Sequence, residues 1–294
     1  MKRRRKILLG RSLIKHHPDL SKSALAKSLG IARSTLYIQS SKQSEKDKAY
    51  QQQILEVLTE HPHYGHRRIA LEINRNPKLV KRIMHKYGLK AKKRRKRPRK
   101  RADEGKSASG IPNRIKGLCP IFPSTIWVGD FTYLDFHGSF AYLATVMDLY
   151  TREIVGATVG LYHSSQLVID ALQNALSKRV KPNIFHSDQG SEYDSKQLRI
   201  FLLAHRILPS QSHKAHPWEN GHQESFYGRF KQEIGNLNRF EHLDELIEAV
   251  HLQIYYYNYR RIHSALKMTP RKKFEQSMAK LNIEINEKTP EPGV

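Results

Sequence analysis

Three acidic residues, Asp130, Asp188 and Glu224, have the side chains and the spacing of a site for phosphodiester chemistry. Asp130 sits inside an apolar, aromatic run, WVGDFTYLDF. Asp188 follows a short apolar stretch in NIFHSDQGSEY, and Glu224 lies in HPWENGHQESFYGRFKQE, with thirty-five residues between it and Asp188. A carboxylate inside an apolar strand is costly unless a cation or a base pairs with it. An all-oxygen cluster suits the hard cation Mg2+, and two such ions can activate an attacking oxygen and stabilise a leaving one. Singly, each residue has a plain structural reading: a hydrogen-bonded strand aspartate, a turn aspartate in Asp-Gln-Gly-Ser, an exposed helical glutamate. Together, on strand, strand end and helix of a strongly basic chain, they lead us to expect an enzyme that cuts and joins DNA.

The elements that must position these residues can be read from periodicity. Strand-like runs at 125–136, 139–148 and 152–160 are separated by turns at His137-Gly138 and Tyr150-Thr151. A helix at 164–178 leads to a strand at 182–187 that ends at Asp188. A helix at 195–205, a last strand in ILPSQS, and helices at 217–235 and 241–258 follow. The order β-β-β-α-β-α-β-α-α predicts an α/β, ribonuclease-H-like core: a mixed sheet with helices packed on it. Asp130 is then mid-strand among Val128, Phe131 and Leu134. On the helix around Glu224, the residues Asn220, Glu224, Gly228 and Lys231 share one face, while Phe226, Phe230 and Ile234 mark the buried side. Lys231, two turns past Glu224, can hold a phosphate near the metals, and Gly228 leaves room for a DNA backbone between them. The two-metal route needs no covalent protein–DNA intermediate, so Tyr133, Tyr193 and Tyr227 are read as packing or positioning residues.

The front end is different in kind. Residues 23–40, SALAKSLGIARSTLYIQS, have helix-turn-helix spacing, with Ala24, Leu25 and Leu29 as an apolar stripe, Gly30 as the turn, and a second helix from Ser34 or Thr35 packing through Leu36 and Ile38. That places Arg33, Ser34 and Thr35 at the end of a recognition helix. A second helical module is expected from helix signals near 50–60, 66–75 and 77–88, with Arg67, Arg68, Lys78, Lys81 and Arg82 on its polar side. His61, His63 and His66 have no cysteine or carboxylate partners nearby and are read as surface or packing residues. The run KAKKRRKRPRKR (90–101) cannot fold alone and is read as an arm that tracks phosphates. The expected domains are therefore two small all-α, helix-turn-helix-like DNA-binding modules (1–45 and 46–89), a basic linker (90–120), the catalytic core (121–278) and a C-terminal tail (279–294).

Composition narrows the classes. A formal net charge of +25 implies a polyanionic partner, with nucleic acid ahead of an anionic membrane surface, since no long apolar or amphipathic span accompanies the charge. The single cysteine, Cys119, excludes an intrachain disulfide and any Cys-rich zinc module. The opening MKRRRKILLG has too short an apolar run for a signal peptide, and the expected location is cytoplasmic, nucleoid-associated. A sequence-specific DNA-binding regulator would explain the front end and the charge but not three placed carboxylates. A ribonuclease-H-like nuclease without strand transfer would explain the core but has less use for two DNA-reading modules.

The blocks WVGDFTYL, HSDQGSEY, ENGHQESFYGRFKQE and YNYRRIHSALKMTP (257–270) resemble those of the DDE transposase and integrase superfamily, most of all the OrfB-type transposases of bacterial insertion sequences. The likeness extends over nearly the whole chain, and Glu219 departs from it where an aspartate is expected before Asn220. The resemblance implies that Asp130, Asp188 and Glu224 are the metal-binding catalytic triad and that Lys231 contacts DNA. It also implies that Asn258, Arg261 and His263 belong to a downstream block with a structural or DNA-binding role. The implied cofactor is Mg2+, two ions, with Mn2+ as a substitute. The implied partners are terminal inverted repeats, target DNA, further copies of the chain, and an upstream-frame protein joined by frameshifting.

Overall fold

The computed structural model of the chain describes residues 3–37, 41–92, 110–212 and 221–288. The chain divides into two compact units, one ending at Ala91 and the other beginning at Lys92.

The first unit is all helical: α1 (Arg3–His16), α2 (Lys22–Leu29), α3 (Ser41–Glu60), α4 (His66–Glu72) and α5 (Pro77–Lys86). Ser21 caps α2 by accepting the Ala24 N–H, and Gly30 ends it in the left-handed conformation (φ 59°) that favours glycine. Residues Arg33–Leu36 form a four-residue 3-10 turn where the sequence predicts the start of a second helix. Leu36 is buried there, and a Cβ on Gly10 of α1 would lie 2.5 Å from its Cδ2, so the α1 glycine is what lets the turn pack. The basic stretch that opens the chain is thus α1, a helix the sequence reading did not foresee. Ser41–Glu60 is one helix, so the expected boundary at 45/46 falls within it. Asp47 of α3 is fully buried and bonded by Arg82 (2.8 and 3.0 Å) and Lys86 (2.8 Å) of α5, which ties the two helices together. His61 is buried and stacks on Tyr64 with ring centroids 4.3 Å apart. Residues 93–109 of the basic linker lie outside the described residues.

The second unit is a five-stranded mixed sheet in the order β3-β2-β1-β4-β5. The strands are β1 (Ile126–Phe136), β2 (Ser139–Asp148), β3 (Ile154–Gly160), β4 (Ile184–Ser187) and β5 (Leu208–Gln211). The first three form an antiparallel meander, with β4 and β5 added in parallel. His137 and Gly138 both have positive φ (49° and 72°), the conformation a two-residue hairpin turn requires. One face of the sheet packs on α6 (Ser165–Leu176) and α7 (Lys196–Ala204) around Trp127, Phe185 and Leu172. The other packs on α8 (Gly221–Ile234) and α9 (Leu243–Tyr255) around Leu143, Phe226 and Phe230. A π-helical turn (Tyr256–Arg260) follows α9, and α10 (Pro270–Lys288), absent from the sequence reading, runs past the expected end of the core at residue 278. The topology is ribonuclease-H-like, as the order of elements predicts. Among the described residues no helix is long and apolar enough to cross a membrane.

Candidate active site

β4 pairs with β1 only over Ile126–Val128. Beyond that point the edge of β1 that β4 covers has no strand partner among the described residues, and Asp130 stands where it opens. The Asp130 carboxylate accepts one backbone hydrogen bond, from the Phe131 N–H (2.8 Å). Burial pushes its pKa well above the usual carboxylate range, and the charges of Asp188 and Glu224 push it the same way. Asp188 and Glu224, the other two acids picked out by spacing, therefore both lie within electrostatic reach of Asp130.

Asp188 follows the last residue of β4, and its Oδ1 accepts the Gly190 N–H at 3.1 Å. Burial raises its pKa as well; the Gly190 bond opposes that shift. A Cβ on Gly190 would lie 2.6 Å from Glu192 Oε2 and 3.2 Å from Asp188 Oδ1, so a larger residue there would displace the Glu192 carboxylate and crowd that of Asp188. Glu192 in turn lies 2.5 Å from His163 Nδ1. The His163 ring packs on Phe131 (4.5 Å between centroids) and Tyr142 (5.2 Å). Glu192 and His163 were not singled out in the sequence, although Glu192 belongs to the HSDQGSEY block.

Glu224 is exposed in the first turn of α8, where the helix dipole favours a negative charge. Its neighbours fix that helix to β1. Gln223, fully buried, donates from Nε2 to the Val128 carbonyl (2.7 Å) and accepts from Thr145 Oγ1 (3.2 Å). The Tyr227 hydroxyl donates to the Asp130 carbonyl at 2.6 Å. Glu224 is thus flanked by two side chains anchored on β1, one at Val128 and one at Asp130 itself. Gln223 was overlooked in the sequence. A glutamine on the same helix face as Phe226, Tyr227 and Phe230 is the signal that could have found it, since such a stripe is otherwise apolar.

Tyr193 is buried beside Asp130 and Asp188, and its hydroxyl has no hydrogen-bond partner in the structure. An orphaned hydroxyl next to half-compensated carboxylates fits a place where a polar group is bound. The donor set is all oxygen, the kind a hard divalent cation takes. Among the described residues no three His, Cys, Asp or Glu side chains converge closely enough to ligate one ion as they stand.

The other expected contact residues fall in different surroundings. Lys231 Nζ lies 4.1 Å from the centroid of the Tyr133 ring. Asn220 and Glu219 lie outside the described residues, as does Ile38. Arg33 and Ser34 are exposed on the 3-10 turn, and the Thr35 hydroxyl donates to the Ala32 carbonyl (2.6 Å). Arg67 and Lys81 are exposed, Arg68 stacks over Tyr64, and Arg82 is bound to Asp47. Arg261 corrects the expectation of a DNA contact: it is 1 % exposed, and its Nε donates to Glu233 of α8 at 2.9 Å. His263 is half-buried, and burial together with Arg229, Arg152 and Arg261 pushes its pKa down to about 4, so it carries no positive charge for a phosphate at neutral pH. Asn258 is structural: its amide donates to the Ile154 carbonyl and accepts the Ile154 N–H, both at 2.9 Å, closing the edge of β3 as a strand would.

With this geometry in place, similarity to known proteins becomes informative. Residues 122–217 and 205–270 match two family descriptions, each an integrase core domain, and residues 44–97 match an HTH-like domain. The putative transposase InsK for insertion sequence element IS150 of Escherichia coli (strain K12) is 33% identical over 262 residues, which is 84% of this chain and 90% of that protein. The transposase for insertion sequence element IS904 of Lactococcus lactis subsp. lactis (strain IL1403) is 33% identical over 246 residues, 80% of this chain and 97% of that one. Among solved structures, the HTLV-2 integrase catalytic core domain in complex with magnesium is 19% identical with a TM-score of 0.43, covering 52% of this chain and 98% of that one. A ribonuclease-H-like sheet behind an HTH-like domain, with an integrase core over most of its length, defines a polynucleotidyl transferase. The chain belongs to the DDE transposase and integrase superfamily, within it to the transposases of insertion sequences.

Proposed function

We propose that Asp130, Asp188 and Glu224 are the catalytic carboxylates of this transposase and that together they hold two Mg2+ ions, for which Mn2+ substitutes. The observation that carries this reading is the Asp130 carboxyl, half-buried on a strand with one hydrogen bond and pushed up by desolvation and by the other two acids. When bound, the ions supply Lewis-acid activation and charge neutralisation at a phosphodiester. The chain's own part is placement: Gln223 and Tyr227 hold Glu224 at a fixed distance from Asp130, and the Gly190 N–H orients Asp188. Lys231, seven residues past Glu224, binds a phosphate of the strand being cut.

Hydrolysis at an end of the element breaks a phosphorus–oxygen bond and leaves a 3′-hydroxyl. In the second step that hydroxyl attacks a phosphodiester of target DNA in line, forming one ester as another breaks, so no energy source is needed. Tyrosine does not serve as nucleophile. The phenols of Tyr193 and Tyr227 are buried, with pKa values pushed well above 10 by burial and by Asp130, and the Tyr227 hydroxyl is committed to the Asp130 carbonyl. The DNA partners are the terminal inverted repeats, read by the helical unit through residues such as Arg33, Arg67 and Lys81, and the target. Two ends must meet for transposition, so the working species is an oligomer on DNA.

The test is strand transfer by the purified chain with Mg2+ or Mn2+ on DNA carrying the flanking repeats, beside Glu224→Gln and Asp188→Asn. Metal-dependent joined products, absent from both variants while DNA binding persists, are expected. Strand transfer at the normal rate by either variant removes that residue from the triad, and nicking without joining by the wild type favours a nuclease.

A further inference from the structure

The hairpin joining β1 to β2 leaves two large aromatic side chains in solvent. Tyr133 is 56 % exposed and Phe140 51 %, and their rings meet edge to face with centroids 5.5 Å apart. Their neighbours follow the usual rule for apolar side chains on a sheet: Leu134 is buried, and Phe136 packs on the core beneath α8 and α9. Lys231 reaches over the Tyr133 ring, Nζ to centroid 4.1 Å. The two rings and Lys231 form part of the wall of a cavity of about 420 Å³, whose rim also carries Asp135, Asn236 and Asn238.

We propose that this cavity is a stacking platform for a nucleobase of the DNA strand held at the acidic cluster, a base that has left its neighbours in the duplex. The inference rests on Asp130, Asp188 and Glu224 being the catalytic carboxylates. Position chooses the occupant first. Tyr133 is three residues from Asp130 along β1, about 10 Å, a spacing that turns the two side chains to opposite faces of the sheet, and Lys231 of α8 reaches the Tyr133 ring at the open edge of β1. Both lie on the stretch of β1 that β4 does not cover. A strand that has a phosphate at the carboxylates and crosses that open edge passes the platform within roughly three nucleotides at ~3.4 Å each.

Chemistry chooses it again. Exposed aromatic faces accept any base by stacking, without reading its edge. Lys231 held over one of the rings brings a positive charge to the rim, which attracts a neighbouring phosphate. Asp135 is exposed on the same rim and repels phosphate from the inner side, while it can accept a hydrogen bond from an exocyclic amino group. The base faces inward and its phosphate faces Lys231. Unstacking is least costly for a base already unpaired or at a cut end, which is the state that the first hydrolysis creates.

The test uses the full chain and duplexes carrying the terminal repeat, with 5-iodouracil placed singly at positions on either side of the scissile phosphate. After irradiation, cross-links are mapped by mass spectrometry. A cross-link to Tyr133 or Phe140 from one of these positions is expected. Tyr133→Ala should raise the KM for the repeat DNA about ten- to a hundredfold with little change in kcat, because stacking is present in ground and transition states alike. Tyr133→Phe should restore the KM, since the ring and not the hydroxyl makes the contact. Phe140→Ala provides a second variant on an exposed side chain. Cross-links to other residues from every position, or an unchanged KM in both alanine variants, overturn the platform. Cross-linking at Tyr133 by a wild-type chain that cuts nothing upholds the platform and sinks the catalytic reading. Normal cleavage with no such cross-link sinks the platform alone.

Discussion

Two aspartates on neighbouring strands of this sheet, Asp148 buried and Asp130 half-buried, have different environments. Asp148 accepts hydrogen bonds from the backbone of Ser124, Tyr150 and Thr151 and from the Thr151 hydroxyl, which together oppose the effect of its burial. Asp130 accepts one and faces two further acids. Asp148 is what a structural aspartate looks like here, whereas the charged form of Asp130 is disfavoured by desolvation and by the neighbouring acids. An acid whose pKa is higher in the folded than in the unfolded chain takes up its proton first in the folded state. Stability therefore falls as pH rises from the unfolded value of about 3.9 through the raised folded value, and the penalty is complete above it. Asp130→Asn removes this penalty. In EDTA the variant should melt above the wild type at neutral pH, and the difference should vanish below about pH 4. Mg2+ should then stabilise the wild type more than the variant. A variant that melts at or below the wild type at pH 7 in EDTA would show that Asp130 is not under this repulsion. At this scale the sequence was legible where residue type and spacing are unusual, as with the three acids. It was not legible for Glu192 and His163, which meet only because the loop after β4 returns toward the β1–β2 face.

Most strands and helices of the core follow from alternation and turn chemistry, and the hairpin at His137-Gly138 from two residues that tolerate positive φ. The downstream block was harder to read because its roles depend on contacts remote in sequence. The π-helical turn at Tyr256–Arg260 sets Asn258 against the backbone of Ile154 and leads into Arg261, which reaches Glu233 on α8. A basic, aromatic run such as YNYRRIH reads equally as a DNA contact or as a clamp, and burial decides for the clamp. The side chains of Arg261 and Glu233 are 1% and 10% exposed. Breaking a pair this buried from one side costs about 3–5 kcal/mol, because the remaining charge is left without a partner. Arg261→Ala should lower the urea midpoint accordingly, and DNA affinity measured well below that midpoint should not change. Loss of affinity in a variant of unaltered stability would return Arg261 to the DNA interface. The early helices show the opposite limit. Gly30 and the Asn76-Pro77 start of α5 were readable as punctuation, whereas α1 was hidden by basic residues that carry no apolar period.

Over the whole molecule the charge is divided more sharply than the fold. Residues 1–101 hold 30 Lys and Arg against 6 Asp and Glu, while residues 102–294 hold 22 against 21. Nearly all of the +25 therefore belongs to residues 1–101, and residues 102–294, which carry the catalytic core, are close to neutral. A neutral core cannot draw DNA to itself from a distance, so long-range attraction and most of the nonspecific affinity have to come from the front of the chain. On the proposed reading the core's own grip is local, made by Lys231 and by shape. This division separates two measurements that a single basic surface would mix. Positions 93–101 carry eight Lys or Arg in nine residues. If all eight neutralise phosphates, removing them should flatten the dependence of log K on log salt by about seven, at ~0.9 per phosphate contact on duplex DNA. Glu224→Gln should leave the slope at the wild-type value while abolishing joining, because it alters the core and not the attraction. An unchanged slope in the deletion would make the run a spacer and place the phosphate contacts on the helices α1 to α5 instead. A slope altered by Glu224→Gln would mean that the acidic cluster itself sets how much DNA the chain neutralises.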